Sequence, residues 1–382
     1  MQTRQSEAMI WRHLKRFPAA CIVGPRQCGK TTLAKAMGAH YFDLEHTPDR
    51  LRLETRWTEM MEGKDLVVFD EAQCWPELFT RLRSEIDADR QRKGRFLLLG
   101  SVSLELMKQV SESLAGRLAV VELTPLHAAE LPEINLNKLW KLGGFPEGGV
   151  LDGEESFDWH SSYLKLMARR DLPQWGLPAE PAVTERLFKL IAAKHGSIQN
   201  ASEFGAALGL SHHTVQSYLH YLEGVFLIRR LQPYHAKLKN RLIRTPKLYW
   251  RDSGLLHRLL GCNVKTELAA MPWVGESWEG WIIEQVLACY SSLGIEVEAT
   301  FFRDRDGLEC DLVLDIEDKR ELIEIKLTSH PAPEDLTKLR KIQSLIGADR
   351  LVLLTRCADV VTTGSTWMTD LRGYIAAVNA SR

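Results

Sequence analysis

The sequence lacks several features that would assign the protein to a large class at once. Its formal net charge is −1, because 49 Lys and Arg residues are balanced by 50 Asp and Glu residues. This excludes a globally basic chain that coats nucleic acid, so any nucleic-acid site must be a local patch. Seven cysteines are dispersed without a C-x-x-C pair or metal-ligand spacing. This pattern argues against a disulfide scaffold or zinc site and fits reduced thiols in the cytosol.

Long apolar runs and internal repeats are also missing from the sequence. The first seven residues contain no apolar stretch, so no signal peptide is expected. No run approaches the roughly 20 apolar residues of a membrane span, so we expect a cytoplasmic protein without a membrane partner. A chain of 382 residues with 45% hydrophobic content is long enough for two or three globular domains.

The strongest positive signal is a glycine-rich motif near the beginning of the chain. An apolar run, Ala19–Val23, precedes the pattern G-x-x-x-x-G-K-T, and a helical pattern follows it. Strand, loop and helix in this order are typical of a phosphate-binding P-loop. Its glycines let backbone N–H groups converge on phosphate, and the helix adds the positive end of its dipole. The motif predicts ATP or GTP binding by Gly24, Pro25, Arg26, Gln27, Cys28, Gly29, Lys30, Thr31 and Thr32.

A second motif supplies the carboxylates that nucleotide hydrolysis needs. The apolar run Leu66–Phe69 predicts a buried parallel strand, and this strand ends in Asp70 and Glu71. We expect Lys30 to reach the β- and γ-phosphates, the Thr31 hydroxyl to ligate Mg²⁺, and Asp70 to hold Mg²⁺ through water. Glu71 is expected to orient and activate the attacking water. A glutamate beside the metal-holding aspartate favours a hydrolysing ATPase over a small switch GTPase.

Two further residues are candidates for the nucleotide site. The apolar strand Phe96–Leu99 leads to Ser101, which would lie between the two motifs and sense the γ-phosphate. Capping of the next helix is an equally good interpretation of this serine. Arg117 precedes the strand Leu118–Leu123 and could act as an arginine finger on the ATP of a neighbouring subunit. Spacing alone also allows a plain surface arginine.

Four stretches taken together resemble one family, the bacterial and archaeal AAA-type ATPases that carry a DUF4143 C-terminal region. The stretches read GPRQCGKTT, LVVFDEAQ, LLLGSVS and SLAGR-x-x-V-V-E-L-T-P-L. The resemblance covers nearly the whole chain. It implies an AAA+-like fold and a homo-oligomer, which favours the finger role of Arg117.

The sequence divides into four predicted regions. The fold class is α/β: an AAA+-type parallel sheet domain, a winged-helix domain and a PD-(D/E)xK restriction-endonuclease-like α/β domain. The regions are an ATPase core over residues 1–130, a linker and helical lid over 131–190, a winged helix-turn-helix over 191–265 and a nuclease-like region over 266–382.

The middle region contains a helix-turn-helix pattern. A short helix over Ala201–Leu208, a turn over Gly209–Ser211 and a second helix over His212–Leu222 match its usual spacing. Ser211 is a suitable N-cap for the second helix, and a following strand at Phe226–Ile228 suggests a winged form. A helical packing module that contacts protein is the alternative. The candidate DNA contacts on the second helix are His212, His213, Thr214, Gln216 and Ser217.

A basic run follows the second helix. Residues 229–251 contain eight Lys or Arg residues and no acid, although the whole chain is slightly acidic. Such a run could follow a phosphate backbone, whereas a solvated charged face is the alternative. Part of the run, at Pro246, Lys247 and Tyr249, also resembles an element of the family. The candidate DNA-binding cations are Lys237, Lys239, Arg241 and Arg244.

The last region has the element order of the PD-(D/E)xK nuclease core, αβββαβ. Period-2 alternation places Glu324 and Lys326 on one face of a strand. Asp311 lies on the preceding strand, where it could share Mg²⁺ with Glu324 while Lys326 positions the attacking water. A helix carboxylate, Glu279 or Glu284, could complete the set. A fold that binds DNA or assembles subunits without cleavage is the competing interpretation.

These patterns together predict an Mg²⁺-dependent ATPase that remodels or cuts DNA. Two alternatives are open at this stage. One is an ATP-driven switch whose C-terminal regions bind a protein partner. The other is a DNA-binding regulator in which ATP controls assembly and no bond in DNA is broken.

Overall fold

The computed structural model describes residues 3–38, 40–100, 113–151, 156–234, 244–357 and 360–380. The chain forms two compact units. The first comprises Met1–Leu126, Gly224–Phe226 and Ser292–Gly294, and the second comprises His127–Glu223, Leu227–Ser291 and Ile295–Arg382. The four predicted regions, with boundaries near residues 130, 190 and 265, stay a prediction.

The first unit contains a five-stranded sheet in which every pairing is parallel. The strand order is β2-β3-β4-β1-β5. Its described elements are α1 Ser6–Leu14, β1 Ala19–Val23, α2 Lys30–Met37, β2 His40–Asp43, α3 Thr47–Thr55, α4 Trp57–Glu62, β3 Val67–Asp70, α5 Glu77–Ala88, β4 Phe96–Leu99 and β5 Leu118–Glu122.

The three central strands β1, β3 and β4 are buried along their whole length. This explains their continuous apolar sequences, since a parallel sheet covered on both faces has no polar side. The predicted strands are therefore confirmed. Strand β4 lies between β1 and β3, so its carboxyl end lies between the P-loop and Asp70. This is the position that the sequence predicted for the end of that strand.

The polar, helical pattern over residues 47–61 predicts a single helix, and the structure corrects this prediction. Two helices, α3 and α4, replace the single expected helix. They meet at Arg56, whose backbone leaves the helical region with φ −103° and ψ 16°. The Arg56 side chain donates two hydrogen bonds to Glu59 in the first turn of α4.

The second unit begins with a largely helical part. A π-helical turn over Met167–Asp171 follows α7. The elements of this part are α6 Leu136–Leu142, α7 Asp158–Leu166, α8 Pro181–Ala193, β6 Ser197–Ile198, α9 Ala201–Leu208, α10 His212–Gly224, β7 Ile228–Pro233, β8 Lys247–Trp250 and α11 Ser253–Leu259.

Helices α9 and α10 have the predicted helix-turn-helix connection. Gly209 ends α9 in the left-handed region with φ 71°, a conformation that glycine adopts without a Cβ penalty. The Ser211 hydroxyl accepts a hydrogen bond from the backbone N–H of Thr214 at 3.1 Å, so the predicted N-cap is confirmed. The strand expected at 226–228 begins at Ile228 instead.

The elements after residue 270 show the predicted order αβββαβ, from α12 to β12. Their bounds are α12 Val274–Leu293, β9 Val297–Arg303, β10 Glu309–Ile316, β11 Lys319–Ile325, α13 Pro333–Ile346, β12 Arg350–Leu354, β13 Val361–Thr363, β14 Thr366–Thr369 and α14 Leu371–Ala380.

Strands of both parts join in one nine-stranded sheet with the order β13-β14-β12-β11-β10-β9-β7-β8-β6. Strands β9, β10 and β11 pair antiparallel, and β12 adds to β11 in parallel. Strand β7 pairs in parallel with β9 through Gln232 opposite Thr300 and Pro233 opposite Phe301. The predicted boundary near residue 265 therefore falls between strands of a continuous sheet.

A buried cluster holds α13 against this sheet. Phe302, Val313 and Leu322 of three neighbouring strands pack with Leu339 and Ile342 of the helix. Burial of such apolar side chains contributes roughly 1.5–3 kcal/mol each to stability. The cluster fixes the polar residues at the adjacent strand ends.

Candidate functional site

The P-loop is shaped by two glycines and a close contact with the chain after β5. Gly24 and Gly29 have φ values of 152° and 101°. A Cβ at Gly24 would lie 2.2 Å from the carbonyl oxygen of Leu123, a distance that no side chain tolerates. The thiol of Cys28 donates to the same carbonyl at 3.3 Å. The loop therefore requires glycine at position 24 for steric reasons.

The Lys30 side chain is folded into the loop that it follows. Its ammonium group donates to the carbonyl oxygens of Gly24 at 2.9 Å and Pro25 at 2.8 Å. Lys30 is only 6% exposed, so the charge is kept inside the loop rather than in solvent. The same N–H groups can exchange these carbonyls for phosphate oxygens, which are stronger acceptors.

Asp70, at the end of β3, accepts hydrogen bonds from three donors. The hydroxyls of Thr31 and Tyr41 each lie 2.7 Å from its Oδ2 atom. The backbone N–H of Glu71 donates to its Oδ1 atom at 2.9 Å. A hydroxyl and a carboxylate at this separation are hard oxygen donors of the kind that Mg²⁺ prefers. The structure therefore brings the two predicted metal residues together.

Glu71 is positioned by an unusual backbone conformation. Its φ of 47° and ψ of 46° lie in the left-handed region, which a non-glycine residue rarely adopts. A short 3₁₀ turn over Ala72–Cys74 follows at once. Within that turn the Gln73 amide donates to the Glu71 carboxylate. Such strain at a strand end is common in functional sites.

Ser101 and Arg117 are the two further candidates for the nucleotide site. Ser101 lies outside the described residues. The Arg117 guanidinium makes two hydrogen bonds to the Asp87 carboxylate of the same chain, at 2.9 and 2.8 Å. The hydrogen bonds from Arg117, and then from Arg90, lower the pKa of Asp87 to about 2. The finger role of Arg117 stays a prediction.

Sequence reasoning missed Arg4 and Tyr41 at the nucleotide site. The buried Arg4 guanidinium donates to the carbonyl oxygens of Cys28 at 2.9 Å and Thr124 at 2.6 Å. Arg4 therefore contacts the P-loop directly, although it lies 24 residues before Cys28 in the sequence. No local pattern marks either residue, since both contacts depend on the sheet order.

The C-terminal part brings Asp311, Glu324 and Lys326 together as predicted. Glu324 has no exposed surface, and its Oε1 atom accepts from Lys326 at 2.8 Å and from Lys338 on α13. Its Oε2 atom is buried and has no hydrogen-bond partner. Burial, and then the charge of Asp311, raise the pKa of Glu324. Asp311 itself accepts from the backbone N–H of Ile325 at 2.8 Å.

Glu279, the predicted helix carboxylate, is paired with a different lysine. The ammonium group of Lys247, on β8, lies 3.0 Å from Glu279 and 2.7 Å from Glu309. The Tyr249 hydroxyl also donates to Glu279. Burial and the charge of Asp311 raise the pKa of Glu279 to about 7, although Lys247 opposes this shift.

The ammonium groups of three lysines thus pair with acids of this cluster. In the described residues, no group of three or more His, Cys, Asp or Glu side chains could hold a metal ion together. Mg²⁺ often uses only one or two carboxylates and keeps several waters. The buried Oε2 atom of Glu324 with Asp311 meets this smaller requirement.

The alternative helix carboxylate, Glu284, has a different role. It forms ion pairs with both Arg229 and Arg251. A third arginine of the basic run, Arg230, pairs with Glu223. With Lys247 included, four of the eight basic residues face acids that come from α10, α12 and β10. These four therefore do not form a free basic track.

The predicted DNA contacts on α10 are mostly accessible. His212, His213 and Ser217 are exposed, whereas Thr214 and Gln216 are half-buried. Arg244 is exposed, but Lys237, Lys239 and Arg241 lie outside the described residues. Val215, Tyr218 and Leu219 form the buried face of the helix.

The parallel sheet, the P-loop and the Thr31–Asp70 pair define a P-loop domain of the ATPase class. The family described as "AAA domain" matches residues 16–132, and two domains of unknown function, DUF8612 and DUF4143, match residues 133–266 and 274–374. An uncharacterised protein of Mycobacterium tuberculosis is 34% identical over 337 residues, which are 87% of this chain and 75% of that protein. The chain therefore belongs to the AAA-type ATPase family with a DUF4143 C-terminal region. This membership supports ATP binding.

More distant similarities were also found. An uncharacterised protein of Haemophilus influenzae is 23% identical over 220 residues, covering 52% of this chain and 54% of that protein. The solved structure of a Walker-type ATPase of Pyrococcus abyssi is 15% identical with a TM-score of 0.46. That match covers 68% of this chain and 96% of the archaeal chain.

The described helices were also compared with the requirements of a membrane span. None of them combines the length and apolar character needed to cross a bilayer.

Proposed function

We propose that the protein hydrolyses ATP with Mg²⁺ and uses the resulting conformational change to remodel or cut DNA. The observation that carries the hydrolytic part is the 2.7 Å contact between the Thr31 hydroxyl and the Asp70 carboxylate. This contact joins the P-loop helix to the carboxyl end of β3. It supports a role for both oxygen groups in holding the Mg²⁺ that would accompany the phosphates in the loop.

Each residue of the site has a proposed role in this reaction. The Lys30 ammonium group leaves the carbonyls of Gly24 and Pro25 and binds phosphate oxygens. Glu71 leaves Gln73 and accepts the proton of the attacking water. Bound Mg²⁺ would neutralise the developing phosphate charge. Ser101 senses the γ-phosphate, and Arg117 completes the site of a neighbouring subunit in a homo-oligomer.

The cytosol is the proposed compartment for this activity. None of the seven cysteines, each within the described residues, forms a disulfide. Cysteines without disulfides suit a reducing environment.

The hydrolytic proposal is tested by the steady-state ATPase rate with Mg²⁺. We expect Glu71→Gln to lower kcat by at least about 10²-fold, because general base catalysis typically contributes 10²–10⁴-fold. The matched control is Glu77→Gln, since Glu77 is exposed on α5 and undergoes the same chemical change. Equal rates for the wild-type protein and Glu71→Gln would contradict the assignment of Glu71.

The DNA part rests on the exposed face of α10 and on Arg244. The winged-helix description is supported by the α9–α10 turn and by the pairing of β6 and β7 with β8. Rates would be compared without DNA and with single-stranded, duplex and branched DNA. Stimulation by one form, lost as salt rises, supports a DNA-coupled ATPase. ATP turnover that no DNA changes would favour a switch with a protein partner.

A nuclease activity is the second candidate function. The buried Oε2 atom of Glu324, which has no hydrogen-bond partner, favours it. A buried carboxylate oxygen without a donor is costly, and a divalent cation shared with Asp311 would satisfy it. Lys326, already 2.8 Å from Glu324, could then position the attacking water.

Cleavage is tested on the DNA form that stimulates ATP turnover. We expect Mg²⁺-dependent cutting to fall at least about 10²-fold in Glu324→Gln, since the metal would lose a charged ligand. The exposed Glu334, on α13, provides the control Glu334→Gln. DNA binding without any cutting in the wild-type protein would instead support the ATP-controlled regulator.

A further inference from the structure

Tyr41 makes a contact that neither the P-loop pattern nor the carboxylate motif predicts. Its hydroxyl donates to the Oδ2 atom of Asp70 at 2.7 Å. The Thr31 hydroxyl donates to the same atom at the same distance. Two hydroxyls therefore share one carboxylate oxygen at the place proposed for Mg²⁺.

Tyr41 contacts three neighbouring elements. Strand β2 pairs with β3 in parallel, with Tyr41 opposite Val68. The Lys35 ammonium group of α2 lies 4.4 Å from the centre of the ring, and Arg52 of α3 donates to the Tyr41 carbonyl at 2.8 Å. Strand pairing and Arg52 thus hold the Tyr41 backbone, while the Lys35 ammonium group lies over its ring.

This arrangement has a consequence for the threonine hydroxyl. Because Tyr41 and the Glu71 N–H fix the orientation of the Asp70 carboxylate, the Thr31 proton has a defined acceptor. Its oxygen lone pairs then point away from Asp70 and are available to a metal. Hydrogen-bond donors that orient metal ligands in this way matter for binding, and their loss typically lowers metal affinity 10- to 100-fold.

We infer that Tyr41 is a positioning residue for the Mg²⁺ of the nucleotide site, acting through Asp70 and Thr31. The inference rests on the proposed Mg²⁺–ATP site. The role of Tyr41 differs from that of Glu71, because Tyr41 contacts neither the attacking water nor the phosphates.

The test compares nucleotide binding with and without Mg²⁺, which needs no hydrolysis. A fluorescent ATP analogue would be titrated onto the full chain in EDTA and at a series of Mg²⁺ concentrations. We expect Tyr41→Phe to raise the half-saturating Mg²⁺ concentration roughly tenfold, while metal-free affinity stays within about twofold. Tyr41→His, which keeps a ring donor, should recover part of the loss. Tyr234→Phe, the same chemical change on a tyrosine of the second unit, should behave as wild type.

The outcomes separate this inference from the proposed function. Superimposable Mg²⁺ curves for the wild-type protein and Tyr41→Phe would overturn the inference and leave the ATP site intact. Equal losses of affinity with and without metal would show that Tyr41 only packs, which also overturns it. A wild-type chain that binds no nucleotide would refute the ATP site itself, and the inference with it.

Discussion

Single residues of the P-loop are constrained by contacts that sequence spacing does not show. Gly24 satisfies the consensus, but its steric reason is the carbonyl of Leu123, 2.2 Å from any added Cβ. Lys30 satisfies the consensus, but its ammonium group is already bonded within the loop. The site is therefore preorganised by its own backbone.

Replacement of Gly24 provides a prediction at this scale. We expect Gly24→Ala to destabilise the fold by about 2 kcal/mol and to abolish ATP binding, because the loop must shift to admit the methyl group. Thermal denaturation and titration with a fluorescent ATP analogue would measure both effects. Gly275→Ala is the control, since an added Cβ there meets nothing within 4 Å. Normal nucleotide affinity in Gly24→Ala would contradict this account.

At the scale of elements, β8 connects the middle region with the nuclease-like region. It supplies Lys247 and Tyr249 to Glu279 on α12, 32 and 30 residues further along the chain. The Lys247 side chain is 4% exposed, so its charge is buried with its partners. Removing one member of a buried ion pair leaves the other uncompensated, which typically costs about 3–5 kcal/mol.

The stability of this contact should depend on pH. Burial, and then the charge of Asp311, raise the pKa of Glu279 from its ordinary value of 4.5 to about 7 in the folded chain. The folded state therefore binds more protons than the unfolded state between these values, and stability falls as pH rises from about 4.5 to 7. Lys247→Met should raise this pKa further, so that the fall extends to higher pH and becomes larger in total.

Urea denaturation at pH 5 and pH 8 would measure the effect. We expect Lys247→Met to lose about 3–5 kcal/mol at pH 8 and clearly less at pH 5, where Glu279 is protonated. The double variant Lys247→Met/Glu279→Gln should recover much of the loss. The exposed Lys265 gives the control Lys265→Met. Equal losses at the two pH values would show that the charge of Glu279 does not determine the loss.

At the scale of the whole molecule, the open question is how chains act on one another. Arg117 is bonded to Asp87 of its own chain, although the resemblance to the family implies a finger that acts between subunits. Exposed ion pairs contribute little to stability, so this arginine could exchange Asp87 for phosphate oxygens at small cost. The Arg117 guanidinium would then contact Asp87 in one state and the phosphate oxygens of a neighbouring ATP in the other.

Mixing two inactive variants tests the role between subunits. Arg117→Ala keeps an intact P-loop, and Lys30→Ala keeps an intact Arg117. If the finger acts on a neighbouring subunit, an equimolar mixture should regain roughly a quarter of the wild-type ATPase rate, as random pairing would give in a dimer. Arg117→Ala alone should fall by about 10³-fold or more. A mixture no more active than its components would argue against a shared site.

Local patterns were enough to predict the nucleotide site and the order of elements. Gly24, Lys30 and Thr31 lie within eight residues, and Asp70 ends a continuous apolar run. The αβββαβ order after residue 270 also followed from alternation and helical spacing. These features depend on steric and periodic rules that act over a few residues.

Tertiary structure alone decided which charges meet. The basic run looked like a free track in the sequence, but Arg229 and Arg251 bind Glu284, and Lys247 binds Glu279. Tyr41 reaches Asp70 only because β2 lies beside β3 in the sheet. Strand order and helix placement bring together residues that are tens of positions apart. The sequence therefore determined the chemistry available to this protein, and the packing of its elements determined which groups share a site.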